Sequence, residues 1–318
     1  MTSISPLTEA SAGQIDQALS ASIDAVAQIV LGKRQQISMA LCCLLARGHL
    51  LIEDLPGMGK TTLSHTLGQV LGLEHQRIQF TSDMLPSDVI GASIYDKNSG
   101  EFRFIKGPVF AQLLLADEVN RTTPKTQSAL LEAMEERQVT VDGVAYALPE
   151  PFFVIATQNP VSQSGTYPLP ESQLDRFLMR IELGYPDEKA EREMLLKGSG
   201  RQQIAQLESC IGLQSLIALQ ARVDKVRASE VLLDYLQRLV NYSRTASDFA
   251  YGLSPRGTLA LLQAAKSWAL IEGRNHVIPE DLQTVLPAVA AHRLESSTSG
   301  QNSGKALVAQ MLDTVAVI

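Results

Sequence analysis

LIEDLPGMGKTT, residues 51–62, sets a strand, a Gly-rich loop and a helix side by side. The apolar run HLLIE (49–53) enters the loop, and the helical sequence TTLSHTLGQVL leaves it, from Thr61 to about Leu71. That order is the setting of a phosphate-binding loop. Gly57 and Gly59 let backbone N–H groups face an anion, and the helix N-terminus adds the positive end of its dipole. Lys60 would reach the β and γ phosphates as a point charge, and the Thr61 hydroxyl would hold Mg2+. One position departs from the usual pattern, because Asp54 stands where glycine is customary. Aspartate tolerates turns and can bond its own backbone, so the departure weakens the pattern match more than the chemistry. The competing reading is a Gly-rich strand–helix turn that binds nothing.

Outward from this stretch the chain alternates. Upstream, residues 20–48 read as two helices broken at Leu31-Gly32-Lys33, with apolar residues recurring every three or four positions. Downstream, apolar runs recur at HQRIQF (75–80), VFAQLLLA (109–116), PFFVIAT (151–157) and FLMRIEL (177–183), with helical segments between most of them. In TPKTQSALLEAMEERQ, Thr123 can cap, Pro124 suits the first helical position, and Ala129, Leu130, Ala133 and Met134 make an apolar face. The alternation predicts an α/β layer with a mostly parallel sheet covered on both faces. Two hairpins interrupt it, ASIYDKNSGEFRF (92–104) and VTVDGVAY (139–146), the latter turning at Asp142-Gly143. Either is decoration on the sheet or a hairpin pointing into a ring's channel. After Gly184-Tyr185-Pro186-Asp187 the chain is mainly helical, Asp187 capping the first helix. The expected division is therefore residues 1–185, an α/β core with N-terminal helices and a hairpin insert, and 186–318, a smaller all-helical domain. ESSTSGQNSG (295–304) reads as a flexible loop.

LLLADE (113–118) ends a buried strand in two acids, which are costly there unless something cationic meets them. Asp117 fits a Mg2+-associated carboxylate, and Glu118 the base that polarises an attacking water. An acidic strand end that caps a helix explains this motif but not its order after the phosphate loop. In open α/β sheets ligands sit beyond the carboxyl ends of strands, so the two motifs can converge. Asn159, closing PFFVIATQN, could orient that water or simply serve as a turn residue before Pro160. Arg176 in LPESQLDRFLM and Arg256 in GLSPRG are candidates for stabilising developing phosphate charge; both also fit ordinary salt bridges.

Composition narrows the function classes. Hydrophobic residues make up 45% and charged residues 19% of 318, the balance of a globular protein with a sizeable core. A net charge of −7 gives no general attraction for nucleic acid. No 18-residue uncharged apolar run suggests a membrane span, and the N-terminus lacks the layout of a signal peptide, so a cytoplasmic location is expected. Cys42, Cys43 and Cys210 have neither zinc nor redox spacing and read as buried small hydrophobes.

With these residues in view, the sequence resembles the MoxR family of AAA+ ATPases over roughly residues 20–295. The stretches that carry the likeness are LARGHLLIEDLPGMGKTTL, FTSDMLPSDVIGASIYD, FRFIKGPVFAQLLLADEVNRTTPKTQSALLEAMEERQVTVDG, PFFVIATQNPVSQSGTYPLPESQLDRFLMRI and YGLSPRG. The resemblance implies an AAA+ P-loop NTPase core followed by an all-α lid, with ATP and Mg2+ as cofactors. It makes Pro56, Gly57, Met58, Gly59, Lys60, Thr61 and Thr62 Walker A, Asp117 and Glu118 Walker B, and Asn159 sensor 1. Arg256 would be the sensor 2 arginine and Arg176 the arginine finger that reaches a neighbouring subunit's nucleotide. Gly32 matches the segment that packs near the adenine, and the 92–104 hairpin the helix-2 insert. The likeness further implies a homo-oligomer, a hexameric ring, chaperone-like remodelling of a protein client, and a partner bearing a von Willebrand factor A domain.

Four functions follow for weighing. The leading one is an ATP-driven remodelling or assembly factor. The motor subunit of a metal chelatase is the alternative in the same clade. A nucleic-acid motor would want a basic, aromatic channel loop, for which Phe102, Arg103, Phe104 and Lys106 give only a hint. A nucleotide-gated scaffold that barely hydrolyses would need none of Glu118, Asn159, Arg176 and Arg256.

Overall fold

The computed structural model describes residues 12–159, 166–197, 204, 206–297 and 303–317. Two helices open it, α1 (Ala12–Ile29) and α2 (Arg34–Leu45). The chain turns between them at Gly32, whose φ of +70° is the left-handed conformation that glycine adopts without strain. A five-stranded sheet follows, built from β1 (Leu50–Glu53), β2 (His75–Gln79), β5 (Leu113–Asp117), β8 (Phe153–Gln158) and β9 (Met179–Ile181). Its order is β2-β5-β8-β1-β9, and every neighbouring pair is parallel. The two expected hairpins are β3–β4 (Gly91–Asp96, Glu101–Lys106) and β6–β7 (Gln138–Val141, Val144–Ala147), each paired antiparallel outside the main sheet.

Alternation along the strands sorts side chains into two cores. Leu50, Ile52, Leu113, Leu115, Phe153 and Ile155 pack on one face, against α1, α2 and α3 (Lys60–Val70) and the C-terminal helices. Leu51, Leu114, Ala116, Val154 and Ala156 pack on the other, with Leu130, Leu131 and Met134 of α5 (Pro124–Glu136) and with Val89 of the short helix α4 (Pro86–Ile90). Both faces being covered explains why β5 and β8 are apolar almost throughout. Thr123 holds the N-cap position of α5 but forms no cap hydrogen bond; its hydroxyl lies 3.3 Å from that of Thr126. Pro124 at the first helical position starts this helix without it.

Past the short α6 (Glu171–Leu174) and β9, helices take over: α7 (Glu188–Lys197), α8 (Leu213–Lys225), α9 (Glu230–Thr245), α10 (Pro255–Ile271), α11 (Pro279–Ala290) and α12 (Gly304–Thr314). The Asp187 carboxylate caps α7 by accepting the Ala190 N–H at 2.7 Å. The segment expected to be a flexible loop is partly ordered. Residues 298–302 lie outside the described residues, but Glu295–Ser296 is a strand, β11, paired antiparallel with β10 (Phe249–Tyr251). Ser303 caps α12 by accepting the Ala306 N–H. Tertiary pairing thus overrides a polar, glycine-bearing composition. Cys42 and Cys43 are buried in α2 and Cys210 half-buried, all with free thiols, and burial pushes the thiols of Cys42 and Cys43 up. Among the described residues no helix is long and apolar enough to cross a membrane.

Candidate functional site

The loop between β1 and α3 turns at Gly57 and Gly59, with φ of +85° and +90°. A Cβ at either position would meet nothing within 4 Å, so backbone conformation rather than crowding requires glycine there. No side chain caps α3, whose first-turn N–H groups are left to an anion. Asp54 has a definite task. Its carboxylate accepts the N–H of Leu55 at 2.8 Å, and across the fold those of Leu183 at 2.8 Å and Gly184 at 2.6 Å. The loop is thereby tied to the stretch that leaves β9 for the helical part.

Lys60 is buried, with its ammonium donating to the Asp54 carbonyl at 2.7 Å and to the Asn159 amide oxygen at 3.2 Å. Burial lowers its pKa, and the Asp117, Asp54 and Glu118 carboxylates push it back up. Asn159, 1% exposed, turns its amide nitrogen to Glu118 Oε1 at 3.1 Å. One side chain thus spans from the loop lysine to the second acid of β5. Its own carbonyl is held by Asn120 at 3.0 Å.

Asp117 receives the Thr157 hydroxyl at 2.6 Å on Oδ1. On Oδ2 it meets the Thr61 hydroxyl at 3.4 Å and Arg77 of β2 at 2.7 Å. Glu118 adopts a left-handed backbone, φ +57°, which for a non-glycine residue stores roughly 1–3 kcal/mol of strain. At this turn Gln79 (3.0 Å) and Arg121 (2.9 Å) hold Oε2. Its N–H is fixed on Thr157 Oγ1 at 2.9 Å. The donor set suits Mg2+: a hydroxyl and a carboxylate converge, both hard oxygen ligands, and this ion takes few protein ligands and completes its shell with water and phosphate. Among the described residues no group of three or more His, Cys, Asp or Glu could hold a metal ion.

Gly32 lies apart from this cluster, on a cavity of about 640 Å³ lined also by Gln28, Leu31, Asp187, Lys189 and Ala190. A Cβ on Gly32 would come within 2.8 Å of Ala190 Cβ. Next to it, the buried Lys33 donates to the Tyr185 carbonyl at 2.7 Å. Residues 183–185 are therefore held from the phosphate-loop side by Asp54 and from the Gly32 side by Lys33.

The two arginines are brought together, but on a different carboxylate. Arg176 Nη2 lies 2.9 Å from Glu135 Oε2, and Arg256 Nη1 lies 3.1 Å from Glu135 Oε1. Neither of these ion pairs involves Lys60, Asp117 or Glu118. Several contributors escape a reading of the sequence: Arg77, Gln79, Arg121, Thr157 and Glu135. Arg77 and Gln79 do carry a signal, since residues two apart on a strand share a face. Thr157 and Glu135 meet their partners across 39 to 121 residues of chain, which no local pattern records, whereas Arg121 pairs with Glu118 only three residues away.

The comparisons with known proteins come to the same place. A family model described as the ATPase family associated with various cellular activities (AAA) matches residues 49–179. A model of the AAA lid domain matches residues 241–311. The chain is 44% identical over 302 residues to the uncharacterised protein YeaC of Bacillus subtilis, covering 94% of each. It is 40% identical over 305 residues to the chaperone MoxR1 of Mycobacterium tuberculosis, covering 92% of this chain and 80% of that one. Among solved structures, a Cytophaga hutchinsonii protein provisionally described as an ATPase superposes with a TM-score of 0.89 at 38% identity, over 96% of this chain and 97% of that one.

Proposed function

The chain belongs to the MoxR family of AAA+ ATPases, and on that premise we propose that it binds Mg·ATP on the 54–62 loop and hydrolyses it to ADP and phosphate. The observation that carries the reading is Asn159, whose amide joins Lys60 to Glu118 and so brings a phosphate-binding cation, a water-orienting amide and a base within one hydrogen-bonded run.

In this reading Pro56–Thr62 is Walker A, with Lys60 exchanging the Asp54 carbonyl for the β and γ phosphates. Thr61 and Asp117 would hold Mg2+, which when bound neutralises charge developing on the phosphoryl group. Glu118 accepts a proton from the attacking water that Asn159 orients. The Gly32 cavity takes the adenine. Burial of Lys60 beside three carboxylates supports its role, because a phosphate then replaces neighbours already selected for a cation.

Arg176 and Arg256 complete the site across an interface. Their placement on Glu135 rather than, among the described residues, on the nucleotide-loop cluster of the same chain supports service to a neighbouring subunit. On this reading the protein is a homo-oligomer, and the family likeness supports a hexameric ring. We place the boundary between core and lid after residue 185. The protein acts in the cytoplasm as a chaperone-like remodelling or assembly factor, alongside a von Willebrand factor A domain partner and a protein client. The chaperone designation of the M. tuberculosis relative supports remodelling over a chelatase motor, and the net charge of −7 supports a protein client over nucleic acid.

The test is ATPase activity per subunit over a wide range of protein concentration. Specific activity should climb and saturate as rings assemble. A flat, appreciable rate from a species shown to be monomeric by light scattering would sink the composite site.

A further inference from the structure

Arg293, just past the C-terminal end of α11, has a side chain only 5% exposed. Its Nε donates to Asp175 Oδ1 at 2.6 Å. Its Nη2 donates to the carbonyls of Asp175 at 3.1 Å and Phe177 at 2.7 Å, and its Nη1 to that of Leu178 at 3.1 Å and to that of Val289. The neighbouring His292 adds a ring nitrogen 3.1 Å from the Phe177 carbonyl. One buried guanidinium therefore grips residues 175–178 almost point by point, and Arg176 stands in the middle of the gripped segment. A second tie lies outside it, where Arg256 of α10 and Arg176 share Glu135.

The plain reading is a staple between helices and sheet. Charge is a poor material for a mere staple, because taking a guanidinium out of water is expensive and apolar packing would hold the parts as well. What a planar, five-donor fork supplies is orientation. We propose that Arg293 and Asp175 are positioning residues that make the lid and Arg176 move as one body, so that a chain's own lid decides whether its Arg176 is presented to the neighbouring subunit. This rests on Arg176 acting across the interface. It adds a route by which nucleotide in one subunit sets the rate in the next. The 183–185 stretch that leads into the lid is held by Asp54 of the nucleotide loop and by Lys33. Arg293 of the lid holds the segment that carries Arg176.

The experiment mixes two full-length variants. Arg176→Ala supplies an intact site with no arginine to give, and Glu118→Gln supplies an arginine with no working site. Activity of the mixture above the sum of the separate proteins places Arg176 in trans; no gain removes that reading and this proposal with it. Asp175→Asn is then added to the Glu118→Gln donor, leaving the backbone contacts of Arg293 in place. The restored rate should fall about ten- to a hundred-fold, the penalty of a group misplaced by the order of an ångström. The donor's affinity for a fluorescent ATP analogue should stay the same. Added to the Arg176→Ala acceptor instead, Asp175→Asn should leave the mixed rate where it was. An unchanged rate with the altered donor, or an equal fall from either side, overturns the proposal while the trans arginine stands.

Discussion

Arg77 holds the same Asp117 oxygen, Oδ2, that the Thr61 hydroxyl faces, at 2.7 Å against 3.4 Å. On the proposed reading Mg2+ would draw on this same carboxylate oxygen, so the guanidinium and the metal would compete for it. Arg77→Ala removes the competitor. The pair is half-exposed on the arginine side, so its worth is modest, on the order of 0.5–1 kcal/mol. The Mg2+ concentration that half-saturates metal-dependent binding of a fluorescent ATP analogue should drop about two- to five-fold. A rise would mean that Arg77 helps to build the metal site rather than guarding it.

Asp54 explains why the loop lacks its usual first glycine. A glycine there would keep the turn but lose three hydrogen bonds to N–H groups, two of them on Leu183 and Gly184. Charge-assisted bonds of this kind contribute about 1.5–3 kcal/mol each at most, partly offset by water in a half-buried setting. Asp54→Gly should therefore still bind ATP, yet unfold at lower temperature and denaturant concentration. Asp54→Asn should fall in between, since its amide nitrogen cannot accept. Calorimetry beside nucleotide titration separates the two effects. Loss of binding without loss of stability would place Asp54 in the phosphate contacts themselves.

The strands, their mostly parallel arrangement and the two hairpins were legible in the sequence because short apolar runs alternating with helical segments, and turn residues between β-forming runs, are local signals. So were Lys60 at the start of a helix after a Gly-rich loop, and Asp117, Glu118 and Asn159 at strand ends, although their mutual hydrogen bonds were not. Arg176 and Arg256 were legible as singular cations, while their meeting on Glu135 was invisible, since it joins three elements separated by 41 and 80 residues of chain. Arg293 reads locally as nothing more than the basic end of a helix. At its described ends the ESSTSGQNSG stretch departs from the expected loop, because Glu295–Ser296 pairs with Phe249–Tyr251 far along the chain and Ser303 caps the helix that follows.

His49 gives the fold a proton-linked weakness. It is buried beneath Phe152, with Nδ1 accepting the Val154 N–H at 3.0 Å and Nε2 placed 3.2 Å from the Met134 carbonyl. Those partners require the neutral ring protonated on Nε2, and burial brings the pKa down to about 4. The folded value lies below the unfolded one near 6.5, so the unfolded chain binds the extra proton. Stability is therefore complete above pH 6.5 and declines as pH falls towards 4, by up to ~1.4 kcal/mol per pH unit for this one group. Denaturant melts between pH 7 and 4.5 should show His49→Gln to be less stable at neutral pH but with a shallower acid slope. Parallel slopes in the two proteins would assign the acid loss to the carboxylates alone.

Glu118 and Asn159 form a pair whose substitutions should fail differently. Glu118→Gln keeps the shape and the partner at Asn159 but removes the proton acceptor, so ATP binding persists and turnover falls by about two to four orders of magnitude. Asn159→Asp instead replaces the amide nitrogen with an oxygen facing Glu118 Oε1, and adds a fourth carboxylate to the three already near Lys60. The added negative charge holds Lys60 back from the phosphates, so this variant should lose affinity as well as rate. Glu118→Gln should therefore trap the ATP-bound state, whereas Asn159→Asp should hold ATP poorly. Single-turnover kinetics with equilibrium nucleotide binding distinguish them. Full turnover in Glu118→Gln would show that the general base lies elsewhere, and normal affinity in Asn159→Asp would show that Lys60 does not depend on its amide neighbour.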